Sequence, residues 1–174
     1  AAEAAERRAA FLADASELLD RSLDYDTTLQ SIADLVVPNL ADVCFIDVIE
    51  DGTARRVASA AMNPKLSETA RELHQFPRHS DEPYLTRDAI ESGRPVLVRE
   101  ATRLTLERVT QHPEHLRLLL ALQPRSYMTV PLLARGRTLG AMAFIAVGGA
   151  RRYTPVDLAF AEELGKQFIE VLLA

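Results

Sequence analysis

The sequence predicts an α+β fold in which helices cover one antiparallel β-sheet. Two hairpins carry that reading. The stretch RSYMTVPLLARGRTLGAMAFIAV at 125–147 sets two sheet-favouring apolar runs on either side of Ala134-Arg135-Gly136-Arg137, the pattern of strand, tight glycine-containing turn and strand. Residues 41–50 and 53–62 repeat the arrangement around Asp51-Gly52. The third observation is that helical periods lie before, between and after the hairpins, as in α+β proteins. The runs within 125–147 have few polar positions, so they are expected to be covered on both faces and to form the centre of the fold.

Taken in order, residues 2–24 read as a helix, because Phe11, Leu12, Ala15, Leu18, Leu19 and Leu23 recur at helical spacing. Its first turn has no capping residue, so the helix is expected to begin earlier in a longer protein. Asp26 can cap a second helix at 27–37, with Leu29, Ile32, Ala33, Val36 and Val37 as its apolar face and Pro38 as its stop. The strands 41–50 and 53–62 follow. Asn63-Pro64 opens a helix to about Phe76. The polar, proline-bounded segment 77–83 reads as a mobile loop. A short helix at 84–91 stops at Ser92-Gly93, and PVLVR at 95–99 reads as a brief strand. Residues 103–122 form one helix, or two broken at Pro113. In the central hairpin, Pro131 suits a bulge or sheet edge, and Gly140 suggests close backbone approach or a bulge. Thr154-Pro155-Val156-Asp157 then marks a helix start, with reciprocal capping between Thr154 and Asp157. Leu158, Ala161, Leu164, Phe168 and Leu172 make that last helix's stripe, and it too is expected to continue past residue 174.

Composition narrows the function classes. A chain of 174 residues, 48% hydrophobic and 26% charged, suits one globular domain. Its net charge of −5 gives no electrostatic reason to expect nucleic acid or an anionic membrane as partner. No apolar run approaches the roughly 18 residues that span a bilayer, and no signal peptide is visible. The single cysteine, Cys44, excludes an intramolecular disulfide and fits a reducing compartment. A cytoplasmic location is expected.

Four blocks in order carry a family resemblance over nearly the whole length: ADVCFIDVIEDGTARRVASA after the entry helix, then SGRPVLV, RSYMTVPLLARGRTLGAMAFIA, and RRYTPVDLAFAEELGKQFIEVL. Together they resemble the GAF domain family, most closely the GAF domains of bacterial sensor histidine kinases and regulatory serine phosphatases. The resemblance implies a GAF/PAS-like antiparallel sheet of five to six strands. It also implies terminal helices on one face, which often dimerise, and a small-molecule pocket under the mid-chain helices. On this reading residues 1–174 are a single GAF domain of a longer two-component or related signalling protein.

Residues able to carry chemistry are few. His112 and His115 stand three apart around Pro113-Glu114, but no further metal ligands follow at a recognisable spacing, and the pair reads as a solvated helix face. His74 and His79 flank the proline-containing loop, where a haem-ligating role is the alternative to surface histidines. Cys44 lacks the following histidine of a bilin-attachment motif and reads as a small buried hydrophobe. Asn63-Pro64-Lys65 and Asp81-Glu82 do not match the order or spacing of cyclic-nucleotide-binding relatives. Gly148-Gly149-Ala150 lacks the Lys-Ser or Lys-Thr of a phosphate loop. Arg55-Arg56 and Arg151-Arg152 read as solvated strand and turn ends. No kinase, phosphatase or DNA-binding signature is present. Some GAF-like domains reduce methionine sulfoxide with cysteines, but Cys44 has no resolving partner.

Strand parity gives the sharpest residue-level expectation. Cys44, Ile46 and Val48 share one face with Met128, Val130 and Leu132 as the counterpart set. That apolar set suits the terminal helices. The mixed set, with Phe45, Asp47, Tyr127 and Thr129, suits a pocket with a few polar groups among apolar walls. Leu66, Leu73, Phe76, Leu104, Leu116 and Leu119 are its expected cover. The other possibility is that Asp47 only accepts backbone hydrogen bonds and Tyr127 fills core.

The resulting expectation is a non-catalytic sensory domain. It binds a small molecule of unknown identity, or relays a partner's state, through dimerising terminal helices to an effector domain in the same chain. Leu12, Leu19, Leu164 and Phe168 are the candidate dimer positions. The alternatives are a haem- or tetrapyrrole-binding sensor, or a dimerisation module whose pocket has collapsed around the leucines of 116–122. No cofactor is identified from the sequence.

Overall fold

A computed structural model describes residues 2–21, 25–79, 81–149 and 151–172, with side chains described for 3–13, 26–79, 81–149 and 151–170. The helices are α1 (Ala2–Arg21), α2 (Tyr25–Val36), α3 (Pro64–Leu73), α4 (Arg87–Ser92), α5 (Arg103–Glu107), α6 (Pro113–Ala121) and α7 (Pro155–Leu172). The strands are β1 (Val43–Glu50), β2 (Thr53–Ala61), β3 (Val96–Val98), β4 (Pro124–Ala134) and β5 (Arg137–Val147). They form one antiparallel sheet in the order β2-β1-β5-β4-β3. The α+β class and a five-stranded sheet are therefore as expected, with β5 of the 125–147 hairpin at the centre.

Both hairpin turns follow from their residues. Asp51-Gly52 and Arg135-Gly136 all have positive φ, 52°, 77°, 51° and 77°, the two-residue geometry whose twist matches that of paired strands. Pro131 lies on β4 beyond the three-residue β3, so its missing N–H falls where the sheet has no further partner on that side. Gly140 is required by contact: a methyl placed there would overlap the Asp47 carbonyl on β1.

One sheet face carries the larger core. Leu29, Ile32 and Val36 of α2 and Ala161, Leu164 and Phe168 of α7 pack on Cys44, Ile46, Met128, Val130, Leu132, Met142 and Phe144. Helix α1 packs outside them against α2 and α7, pinned by Phe11 and by an Arg8–Asp157 ion pair of 3.1 Å. The start of α7 is capped as expected: Thr154 N–H donates to Asp157 (2.8 Å) and Asp157 N–H to the Thr154 hydroxyl (3.3 Å). The opposite face lies under α3, α5 and α6, with Val43, Phe45, Leu66, Leu73, Phe76, Leu118, Leu119, Tyr127 and Ile145 in a second cluster.

The terminal-helix expectation needs one correction. Leu164 and Phe168 are sealed in the core, so their side chains are not available to a partner on the outer face of α7. Leu12 is half-buried, and the Leu19 side chain lies outside those described.

Candidate functional site

The second face contains a polar cluster built by the register of the first hairpin. The two-residue turn pairs Glu50 with Thr53 and carries the count back to Asp47 opposite Arg56. A bulge then leaves Val57 unpaired, so that Ala58 faces the α2 side while Arg56 stays beside Asp47. Arg56 Nε donates to Asp47 Oδ1 at 2.8 Å and Nη2 to Oδ2 at 3.2 Å. The Thr86 hydroxyl, just before α4, donates to Oδ2 at 2.6 Å. The Arg56 guanidinium also lies over the Phe45 ring, 4.0 Å from its centre, a favourable placement for a desolvated cation. Arg56 is thus not a solvated strand end. Asp47 receives side-chain donors rather than merely backbone ones.

A second guanidinium comes from the segment read as a mobile loop. Arg78 is only 7% exposed. Its Nε donates to the Ala54 carbonyl (3.2 Å) and its Nη1 to the Phe76 carbonyl (2.9 Å), with Asp47 Oδ1 at 4.0 Å. Its own carbonyl accepts from Ala54 N–H at 3.0 Å, and Thr53 bridges to His79. Gln111 adds a strap from the α6 side to the Pro77 carbonyl. These contacts tie the segment to β2, correcting the loop expectation.

The electrostatics follow from this packing. Burial alone would push the Asp47 carboxyl up, but the Arg56 charge and hydrogen bonds, then Arg78 and Thr86, hold it below the usual carboxylate range. Among the described residues, Asp47 is the only carboxylate within 4.0 Å of either guanidinium. One anion therefore faces two cations. Burial and the neighbouring Arg56 push Arg78 down to about 10.

His115 is buried rather than solvated. Its ring stacks on Phe76 at 4.6 Å, while His112 meets the same ring edge-on at 4.8 Å. His115 Nδ1 accepts from the Gln111 N–H at 3.0 Å, which places the proton of the neutral ring on Nε2. Burial, then the charges of Arg56, His112 and Arg78, push its pKa down to about 4.

Between these groups lies a cavity of about 20 Å³ lined by Phe45, Arg56, Leu73, Phe76, Arg78, Tyr84, Leu85, His115 and Leu119. Of the expected pocket residues, Phe45, Leu73, Phe76 and Leu119 reach it, and Asp47 reaches it through Arg56. Leu66 and Tyr127 pack in the surrounding apolar cluster. Thr129 is buried on the same face, and its hydroxyl has no hydrogen-bond partner among the described residues. Leu116 packs half-buried against that cluster and also lines an outer groove between α5 and α6. Leu104 is 59% exposed and covers nothing. Cys44 sits on the opposite sheet face, where burial pushes its thiol pKa up and suppresses thiolate. The four histidines do not converge, and no group of three metal-ligating side chains occurs among the described residues.

A five-stranded antiparallel sheet with terminal helices on one face and a roofed polar cavity on the other defines a small α+β domain. The chain belongs to the GAF domain family, whose model matches residues 22–172. No match was found among curated proteins. Solved structures with the same fold include the GAF domain of a phosphoenolpyruvate-protein phosphotransferase from Coxiella burnetii. It is 15% identical with a TM-score of 0.75, over 97% of this chain and 94% of that one. The A. aeolicus nlh2 GAF domain in an inactive state is 11% identical with a TM-score of 0.70, over 98% of both chains. A free methionine-R-sulfoxide reductase from Neisseria meningitidis, in complex with its substrate, is 16% identical with a TM-score of 0.71, over 98% of this chain and 90% of that one. This last likeness corrects the expectation of a non-catalytic domain drawn from the family resemblance, because the same fold also serves enzymes. At these identities the likeness concerns the fold alone. Among the described residues, no helix is long and apolar enough to cross a membrane.

Proposed function

We propose that this GAF domain is a sensory domain that takes a small molecule in the cavity between β1–β2 and α3–α6. Occupancy biases the packing of the terminal helices on the other sheet face and so an effector domain, such as a histidine kinase, joined to them. The observation that carries this reading is the cavity itself. It places two guanidinium groups, an imidazole and a phenol within an otherwise apolar layer, the composition of a small-molecule site. The relay rests on β1, which presents Phe45 to the cavity, Asp47 to the Arg56 that lines it, and Cys44 and Ile46 to α2 and α7. Homodimerisation through α1 and the outer stripe of α7 belongs to the same proposal.

The small volume of about 20 Å³ also favours a second reading, the collapsed pocket, in which only dimerisation is left. Drug-sized and cofactor sites run to roughly 300 Å³ and more, so a haem or tetrapyrrole receives no support from this conformation. Native mass spectrometry separates the readings. A non-covalent adduct lost on denaturation supports the ligand-binding sensor. A bare dimer under all expression conditions supports the collapsed module and overturns the sensor.

A further inference from the structure

The cavity is lined by donors. Arg56 Nη1, Arg78 Nη2, His115 Nε2 and the Tyr84 hydroxyl belong to side chains that line it. None of the four atoms has a hydrogen-bond partner among the described residues, the contacts of Arg56, Arg78 and His115 using their other nitrogens, and each keeps a small contact with solvent, Thr129 Oγ1 being the one fully buried orphan among the described residues. The acceptors nearby are committed: Asp47 serves Arg56 and Thr86, and the Ala54 and Phe76 carbonyls serve Arg78. Two buried cations against one buried carboxylate leave an uncompensated positive charge. Two cations sharing one carboxylate leave room for a further anion, and guanidinium groups pair best with planar oxyanions.

We infer that the ligand of this cavity is a small anion, a halide or a planar oxyanion or short carboxylate, held by Arg78 and Arg56 with His115 Nε2–H and the Tyr84 hydroxyl as further donors. The inference rests on the reading of the cavity as a ligand site and adds the class of ligand. The volume of about 20 Å³ matches one water-sized particle. Nitrate or formate, with three or four heavy atoms, therefore requires the lining side chains to move apart. Phe45 and Phe76 close the site on its apolar sides and disfavour larger, hydrated anions. The depressed basicity of Arg78 and His115 agrees, because an anion between them relieves the mutual repulsion of the cations.

The test is a thermal-shift titration of the whole chain with sodium chloride, nitrate, formate or acetate, each replaced by gluconate to hold ionic strength. The expected result is a saturable rise in melting temperature with at least one small anion, confirmed by calorimetry, and none with gluconate. Saturation by chloride alone assigns a halide site. Saturation by nitrate or formate assigns an oxyanion site that opens. Arg78→Gln is expected to abolish saturation. Tyr84→Phe keeps the ring and removes one donor to the anion, which is expected to raise the midpoint about tenfold, so the test survives if the arginine variant does not fold. Equal behaviour of all salts overturns the anion assignment, as does an unchanged midpoint in Tyr84→Phe. If a neutral adduct appears in native mass spectrometry and no anion saturates, the anion class fails while the ligand site stands. If neither appears, both fail.

Discussion

Asp47 is the residue on which the cavity face depends. Its side chain is fully buried, and it alone among the described carboxylates offsets the two guanidinium groups beside it. Removing one member of such a set leaves uncompensated buried charge, so Asp47→Asn is expected to cost roughly 3–5 kcal/mol, read by urea unfolding. A loss below about 1 kcal/mol would mean that water reaches the cluster and that the pair is weak. A second residue-scale prediction concerns acid. Because the folded-state pKa of His115 is about 4 and the ordinary value about 6.5, the unfolded chain binds more protons between these limits. Stability therefore falls as pH drops through that window, by on the order of 2 kcal/mol. His74, exposed and shifted down by burial and Arg78, contributes with the same sign. The Asp47 contribution is complete above the usual carboxylate range and is lost only at lower pH, because its folded pKa is depressed. His115→Phe keeps the stack on Phe76 and should flatten the stability profile between about pH 5 and 6.5. An unchanged slope would show that the imidazole is already hydrated.

At the scale of elements, β1 and β5 approach more closely than side chains allow. Gly140 faces the Asp47 carbonyl, with Val48 Cα 3.0 Å from where its methyl would stand. Gly140→Ala must push the central strand from β1, and overpacking of this kind costs typically about 1–3 kcal/mol, occasionally more. Because β1, the strand it is pushed from, carries Asp47, the variant is also expected to weaken any ligand response of the cavity. A variant with wild-type melting temperature would mean that the sheet relaxes freely there. The elements were largely legible in the sequence, since turn glycines, prolines and apolar periods mark their ends directly. Parity correctly separated Cys44, Ile46 and Val48 from Phe45 and Asp47. Arg56 was legible too: the two-residue turn at Asp51-Gly52 fixes the register that sets it opposite Asp47. Reading Arg55-Arg56 as a solvated pair neglects that register and the need of a buried carboxylate for a cation. Arg78 carried no such signal. Its segment resembles a surface loop in composition, and only tertiary contact with Ala54 and Phe76 buries it. His115 is similar, because Phe76, which covers its ring, lies 39 residues away in the chain.

For the whole molecule, the arrangement is one sheet read from two sides. The cavity lies on the α3–α6 side and the terminal helices on the other, with β1 and β5 shared by both cores. Close-packed layers of this kind transmit displacement only where alternative packings exist, and Leu164 and Phe168 are the points at which α7 would register a shift of the strands. The most direct test of this coupling is hydrogen–deuterium exchange, peptide by peptide, in saturating nitrate or formate against gluconate at equal ionic strength. Slower exchange is predicted both in 73–85, around the cavity, and in α2 and α7 across the sheet. Protection confined to 73–85, with the terminal helices unchanged, would contradict the relay and leave a ligand site without a signalling role.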